Sequence, residues 1–273
     1  MPGLHTEVVG TGRPDFAFLH GLFGRGRNWT GIAQGLAAQG HTSVLFDLPN
    51  HGASGWTGEF SYPQMAEAVG DELRLRLGSA ARLNVVGHSM GGKVAMLLAL
   101  SRPELVSGLA VVDIAPAVSE GVDGFGPLIE ALRSVDLAGL TSRGQAEATL
   151  KPLIPDPGVR QFLLQNLRVR RHPGHPGASQ WYWQPNLDLL EASLDRVAGW
   201  PDPGTAVYPG PVWWLAGELS DYVAQRYVPA MRALFPELHQ VVIPGAGHWV
   251  HADNPQAVID ALADLAASAQ LRG

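Results

Sequence analysis

The chain has 273 residues, 46% of them hydrophobic and 16% charged, a balance that suits a globular protein with a large core. Its formal net charge of −6 makes a nucleic acid or an anionic membrane surface, which calls for a basic face, an unexpected partner. Cysteine is absent, which excludes disulfides, iron–sulfur clusters and thiolate zinc sites.

The first residues, Met1-Pro2-Gly3-Leu4-His5, lack the basic region and apolar run of a signal peptide. No apolar stretch approaches the ~18–20 residues of a membrane span. The expectation is a cytoplasmic protein.

Short apolar runs then alternate with helical patterns. Phe16–Leu19 reads as a strand, with a helix over 28–39 behind it. Ser43–Phe46 is the next strand, followed by a helix over Tyr62–Leu77. The run 83–86 leads into a helix over 90–100 that Pro103 stops, and 109–112 follows. The runs 212–215 and 240–243 complete the set, each with a helical pattern after it. These runs do not alternate apolar with polar, as expected of strands covered on both faces. Strands separated by helices predict a mostly parallel central sheet flanked by helices.

Residues 116–209 break this rhythm. They carry several helical patterns, no convincing strand, and Pro/Gly clusters over 152–158 and 173–177. An insertion of that length between two strands predicts a helical cap, or lid, placed after the strand that ends at Asp113. Residues 1–115 and 210–273 then form the core. Within the cap, Arg170-Arg171-His172-Pro173-Gly174-His175-Pro176-Gly177 reads as an exposed loop rather than a metal site. Trp181 and Trp183 are candidates for lining a substrate pocket.

The chemistry-bearing residues fall at the carboxyl ends of the predicted strands. Gly87-His88-Ser89-Met90-Gly91 puts a serine on a sharp strand-to-helix turn, where the residues two positions away must be small. Free amides at the start of the following helix favour negative charge at such a serine. Ser89 is therefore the candidate nucleophile. The loop His20-Gly21-Leu22-Phe23-Gly24 can supply a second oxyanion donor, the N–H of Leu22 in preference to Phe23, beside that of Met90. A serine needs a base titrating near neutrality. Gly245-Ala246-Gly247-His248 follows the last strand and makes His248 the candidate, with His251 structural. For the acid, chain order leaves Asp113 and Asp221, each just after a strand. Position alone favours Asp221, which can equally cap a helix beginning near Tyr222.

Five stretches in order resemble the α/β-hydrolase superfamily, and within it the small esterases of the bacterial YbfF and animal abhydrolase-11 kind. They are Leu19-His20-Gly21-Leu22-Phe23-Gly24 with Asn28-Trp29, Asp47-Leu48-Pro49-Asn50-His51-Gly52-Ala53-Ser54, Gly87-His88-Ser89-Met90-Gly91-Gly92-Lys93, Val112-Asp113-Ile114-Ala115-Pro116, and Gly245-Ala246-Gly247-His248-Trp249-Val250-His251. The resemblance implies an α/β-hydrolase fold and a serine carboxylesterase that acts on a small-molecule ester without a cofactor or metal. It also favours Asp113 as the acid. Lys93, in the helix after the serine, reads as a solvated or locally paired side chain. The same serine and histidine also suit C–C bond hydrolysis or elimination, and the scaffold suits a ligand receptor.

Overall fold

The computed structural model describes residues 3–78, 82–119, 124–171 and 179–271. It opens with β1 (Thr6–Val9), and the first four apolar runs follow as β2 (Phe16–Leu19), β3 (Ser43–Phe46), β4 (Leu83–His88) and β5 (Val106–Val112). The insertion contributes β6 (Leu167–Arg171) and β7 (Ser179–Trp183), and the core resumes with β8 (Val212–Gly217) and β9 (Leu238–Ile243). Seven strands make one sheet in the order β1-β3-β2-β4-β5-β8-β9. β1 runs antiparallel to β3, and the other neighbours are parallel. The half-exposed edge strand β1 has no continuous apolar run, and the sequence reading does not contain it.

Alternate residues of each strand feed opposite faces of the sheet, and two core clusters result. Phe16, Phe18, Val86 and Ala110 pack against Trp29, Ile32 and Leu36 and against Val258, Leu262 and Leu265. Those partners belong largely to α1 (Thr30–Ala37) and to α11 (Pro255–Gln270) at the carboxyl end of the chain. Ala17, Leu19, Val85, Leu109 and Val111 pack on the other face against α2 (Tyr62–Leu77) and α3 (Met90–Ser101). Ser61 caps α2 by accepting from the Gln64 N–H, and Pro63 fits its first turn. Nearly every residue of α3 is buried, which explains its lack of a polar face.

The insertion holds α4 (Phe125–Arg133), α5 (Arg143–Leu150), α6 (Pro157–Leu164), α7 (Leu187–Glu191) and α8 (Leu194–Ala198). It is not purely helical. β6 and β7 form an antiparallel hairpin, from Leu167 opposite Trp183 to Arg171 opposite Ser179. The arginines of Leu167-Arg168-Val169-Arg170-Arg171 hide a strand whose buried anchor is Leu167. The predicted exposed loop falls mainly on residues 172–178, outside the described residues. The insertion lies on the loops at the carboxyl ends of β2 and β3: Asn166 Nδ2 donates to the Phe23 carbonyl (2.7 Å) and the Asn186 N–H to that of Asn50 (3.0 Å). The core resumes with α9 (Val228–Leu234) and α10 (Val250–Asp253). Among the described residues no helix is long and apolar enough to cross a membrane.

Candidate active site

Ser89 sits between β4 and α3 with φ 52° and ψ −119°, a conformation that side chains rarely adopt. Its N–H donates to the Val112 carbonyl, which ties the turn to the end of β5. The turn leaves no room for side chains on either flank. A Cβ on Gly87 would lie 2.2 Å from the Gly91 carbonyl oxygen, and one on Gly91 would lie 2.5 Å from those of Leu19 and His20. The small-residue spacing in the sequence is thus a requirement of close backbone approach.

Asp113 follows β5, also at positive φ (52°), and its side chain is fully buried. His248 follows β9. Its Nδ1 lies 2.7 Å from Asp113 Oδ2 and its Nε2 lies 3.1 Å from Ser89 Oγ. A carboxylate only accepts, so Nδ1 carries the proton and Nε2 presents its lone pair to the serine hydroxyl. Two further donors hold the carboxylate: the Gly217 N–H reaches Oδ1 (3.0 Å) and the Ser220 hydroxyl reaches Oδ2. Asp221 instead is exposed, and it caps no helix at Tyr222. The next helical turn starts at Gln225, with Ala224 at its cap. Its neighbour Tyr222 stacks on the His248 ring, with centroids 4.1 Å apart and planes 24° from parallel.

Neutral histidines surround this pair. Burial lowers the pKa of His88 well below the usual imidazole range, that of His51 to about 3 and that of His251 to about 4. Burial also lowers that of His20. His20 accepts from the Leu48 N–H at Nε2 (2.9 Å), so its Nδ1–H donates to the Gly21 carbonyl (2.8 Å). The Gly24 N–H donates to the same carbonyl. In a trans peptide the next N–H points the opposite way, so the Leu22 N–H is turned away from His20. Met90 is the first residue of α3, where amides have no partner within the helix. His251 is packed between the rings of Trp29 and His88.

A cleft opens at Ser89 and His248. Leu22 and Phe23 lie on its core side; Phe125, Leu128, Val159, Phe162 and Leu163 come from the insertion and Trp249 from beside His248. Trp181 and Trp183 are not among the cleft's lining residues. Trp183 is buried in the insertion's own core and donates from Nε1 to the Leu132 carbonyl, and Trp181 packs partly buried against the same core.

The chain matches the model of the alpha/beta hydrolase family over residues 16–261. It belongs to the α/β hydrolase family. A mouse protein named sn-1-specific diacylglycerol lipase ABHD11 is 36% identical over 259 residues, covering 93% of this chain and 81% of that one. The Escherichia coli protein named Esterase YbfF is 31% identical over 244 residues, covering 89% of each. A solved structure titled marine microorganism esterase superposes with a TM-score of 0.89 at 32% identity, covering 97% of this chain and all of the other.

Two features of this α/β hydrolase escaped the sequence reading. Lys93 is neither solvated nor at the surface: it is buried, and its Nζ donates to the carbonyls of Val197, Ala198 and Gly199 at the end of α8. Burial pulls its pKa down to about 7. The Tyr62 hydroxyl also donates to the Val197 carbonyl (2.7 Å). The second feature is the aromatic lining of Phe125, Phe162 and Trp249, scattered singly along the chain, so that no local pattern marks it.

Proposed function

We propose that this chain is a serine carboxylesterase that hydrolyses small to medium uncharged esters through an acyl-enzyme on Ser89. The observation that carries the reading is the hydrogen-bonded series Asp113–His248–Ser89 opening onto an apolar cleft. Ser89 Oγ attacks the ester carbonyl as His248 Nε2 takes its proton, and Asp113 holds the imidazole in the tautomer this requires. The tetrahedral oxyanion is stabilised by the N–H groups of Met90 and Leu22. Each such donor contributes ~2.7–4 kcal/mol to the transition state. His248 then protonates the departing alcohol, and water activated by the same nitrogen releases the acid.

Residues 116–209 act as the cap in this reading, because they supply one wall of the cleft. The apolar lining suits an uncharged acyl or alkyl group. The relatives named esterase and lipase support the same reaction class. Hydrolysis of p-nitrophenyl acetate, butyrate and octanoate by the wild type and Ser89→Ala tests the proposal. Turnover by the wild type that the variant loses is the expected result. Turnover surviving in Ser89→Ala would remove the serine from the mechanism, and none in the wild type would remove the ester chemistry.

A further inference from the structure

The loop after β2 lies against the serine: a Cβ on Gly21 would stand 3.3 Å from the Ser89 Cβ. The Gly24 N–H donates to the Gly21 carbonyl (2.9 Å) and closes a four-residue turn over Gly21-Leu22-Phe23-Gly24. Phe23 is the third residue of that turn at φ 58°, a position where glycine is the usual occupant and a bulky residue is strained. The insertion grips this residue twice. Asn166, between α6 and β6, is buried and donates from Nδ2 to the Phe23 carbonyl (2.7 Å), and the Phe125 ring of α4 meets the Phe23 ring edge-on at 6.1 Å. Asn166 is itself fixed through its backbone, whose N–H donates to the Leu163 carbonyl and whose carbonyl accepts from the Gln184 N–H. Its Oδ1 is buried with no hydrogen-bond partner among the described residues, so the bond to Phe23 has to offset the burial of the amide.

We propose that Asn166 is a positioning residue: by binding the Phe23 carbonyl it holds the strained turn that presents the Leu22 N–H, so that the oxyanion site is complete only with the insertion seated. The inference rests on the proposed reading of Leu22 as an oxyanion donor. A residue at positive φ stays there only when its surroundings over-determine it. With its carbonyl released, Phe23 relaxes toward negative φ and the Gly24 N–H leaves the Gly21 carbonyl. The Gly21–Leu22 peptide then keeps the bond from His20 alone. The Leu22 N–H loses its fixed aim, and preorganisation is what makes such a donor effective in the transition state. Asn166 is not among the residues that line the cleft, so the defect falls on kcat and leaves KM in place.

Asn166→Leu keeps the shape of the side chain, removes the donor and also removes the unpartnered oxygen, which protects folding. Trp56→Phe is the control, because it deletes another bond between core and insertion, from Trp56 Nε1 to the Gln184 carbonyl (3.0 Å), that does not touch the turn. Two measurements are made on the full chain: amide hydrogen exchange at Gly24, and kcat and KM on p-nitrophenyl butyrate. In Asn166→Leu the Gly24 exchange rate should rise about tenfold or more. Its kcat should fall by about tenfold or more, toward the ~10²–10³ of a missing donor, with KM held within about twofold. Trp56→Phe should change neither. Unchanged exchange in Asn166→Leu overturns the proposal, and so does faster exchange with wild-type kcat, which would separate the turn from the chemistry. Equal losses in Trp56→Phe would assign the effect to the seating of the whole insertion and overturn it as well. A wild type inactive on esters would sink the proposed function, while Gly24 exchange would still decide whether Asn166 holds the turn.

Discussion

The imidazole of His88 donates from Nε2 to the backbone carbonyl of His248, 2.8 Å away, and so ties the residue before the serine to the loop that bears the base. Burial keeps His88 neutral, and the accepting carbonyl fixes its proton on Nε2. His88→Phe fills much of the same space but lacks the donor. The expected outcome is a fall in kcat of about tenfold or more on a short p-nitrophenyl ester, since small displacements of a catalytic group are costly. KM should move little. Steady-state kinetics on the purified variant checks this, and wild-type kcat would mean that the loop is held without His88.

The two acid candidates make opposite predictions. Asp113→Asn keeps the shape of the side chain but loses the charge that holds His248, and kcat should drop by ~10⁴-fold. Asp221 is exposed, and its replacement by Asn should change kcat by less than about twofold. Measuring both variants on one ester decides the assignment, and the reverse ranking would hand the role to Asp221.

What was legible in the sequence follows from which interactions are local. Strands β2 to β5 are continuous apolar runs because both of their faces are covered, and the Gly87/Gly91 spacing is visible because close approach leaves a compositional trace. The choice between Asp113 and Asp221 was open because it depends on backbone direction. At φ 52° Asp113 carries its carboxylate into the core, whereas Asp221 turns outward. The hairpin β6–β7 was missed because its arginines interrupt the apolar pattern, and a buried Lys93 is not legible at all without the carbonyls of α8 above it. Ser220 and Tyr222 went unnoticed for the same reason: their partners are more than 20 residues away in the chain.

Stability should fall steeply on mild acidification. Burial lowers the pKa of His51 to about 3, that of His251 to about 4 and that of His88 well below the usual imidazole range in the folded chain, whereas in the unfolded chain histidine titrates near 6.5. Below that pH the unfolded chain binds protons that the folded chain refuses, so stability is lost as pH falls from about 6.5 toward about 4. Each such histidine contributes a slope of about 1.4 kcal/mol per pH unit. The urea midpoint should therefore drop between pH 7 and 5.5, and calorimetry in buffers of different ionisation enthalpy should find about three protons taken up on unfolding near pH 5.5. Uptake of less than one proton would contradict neutral buried histidines.

Lys93 joins α3 to the end of α8, and Lys93→Met removes the donor from three carbonyls while roughly keeping the volume. The Val197 and Ala198 carbonyls keep the Tyr62 hydroxyl and the Ser119 N–H, but the loss of three hydrogen bonds, including the one to Gly199, makes this destabilising by about 2 kcal/mol, a loss of several degrees in Tm for a chain of this size. Differential scanning calorimetry reads it directly. A Tm equal to that of the wild type would show that the lysine does not hold the insertion to the core.

The cleft makes a prediction about chain length. Leu128 and Phe162 come from the insertion and face the same space as Ser89 and His248, so a bulkier side chain at 128 takes up room without touching the hydrogen-bonded series. Leu128→Trp should lower kcat/KM for p-nitrophenyl octanoate about tenfold relative to acetate, the discrimination that a few apolar carbons provide in a pocket. Phe162→Ala should shift the ratio the other way by opening the cleft. A fall of equal size on both esters in Leu128→Trp would mean that the whole site had moved, and an unchanged ratio in both variants would place the acyl chain elsewhere.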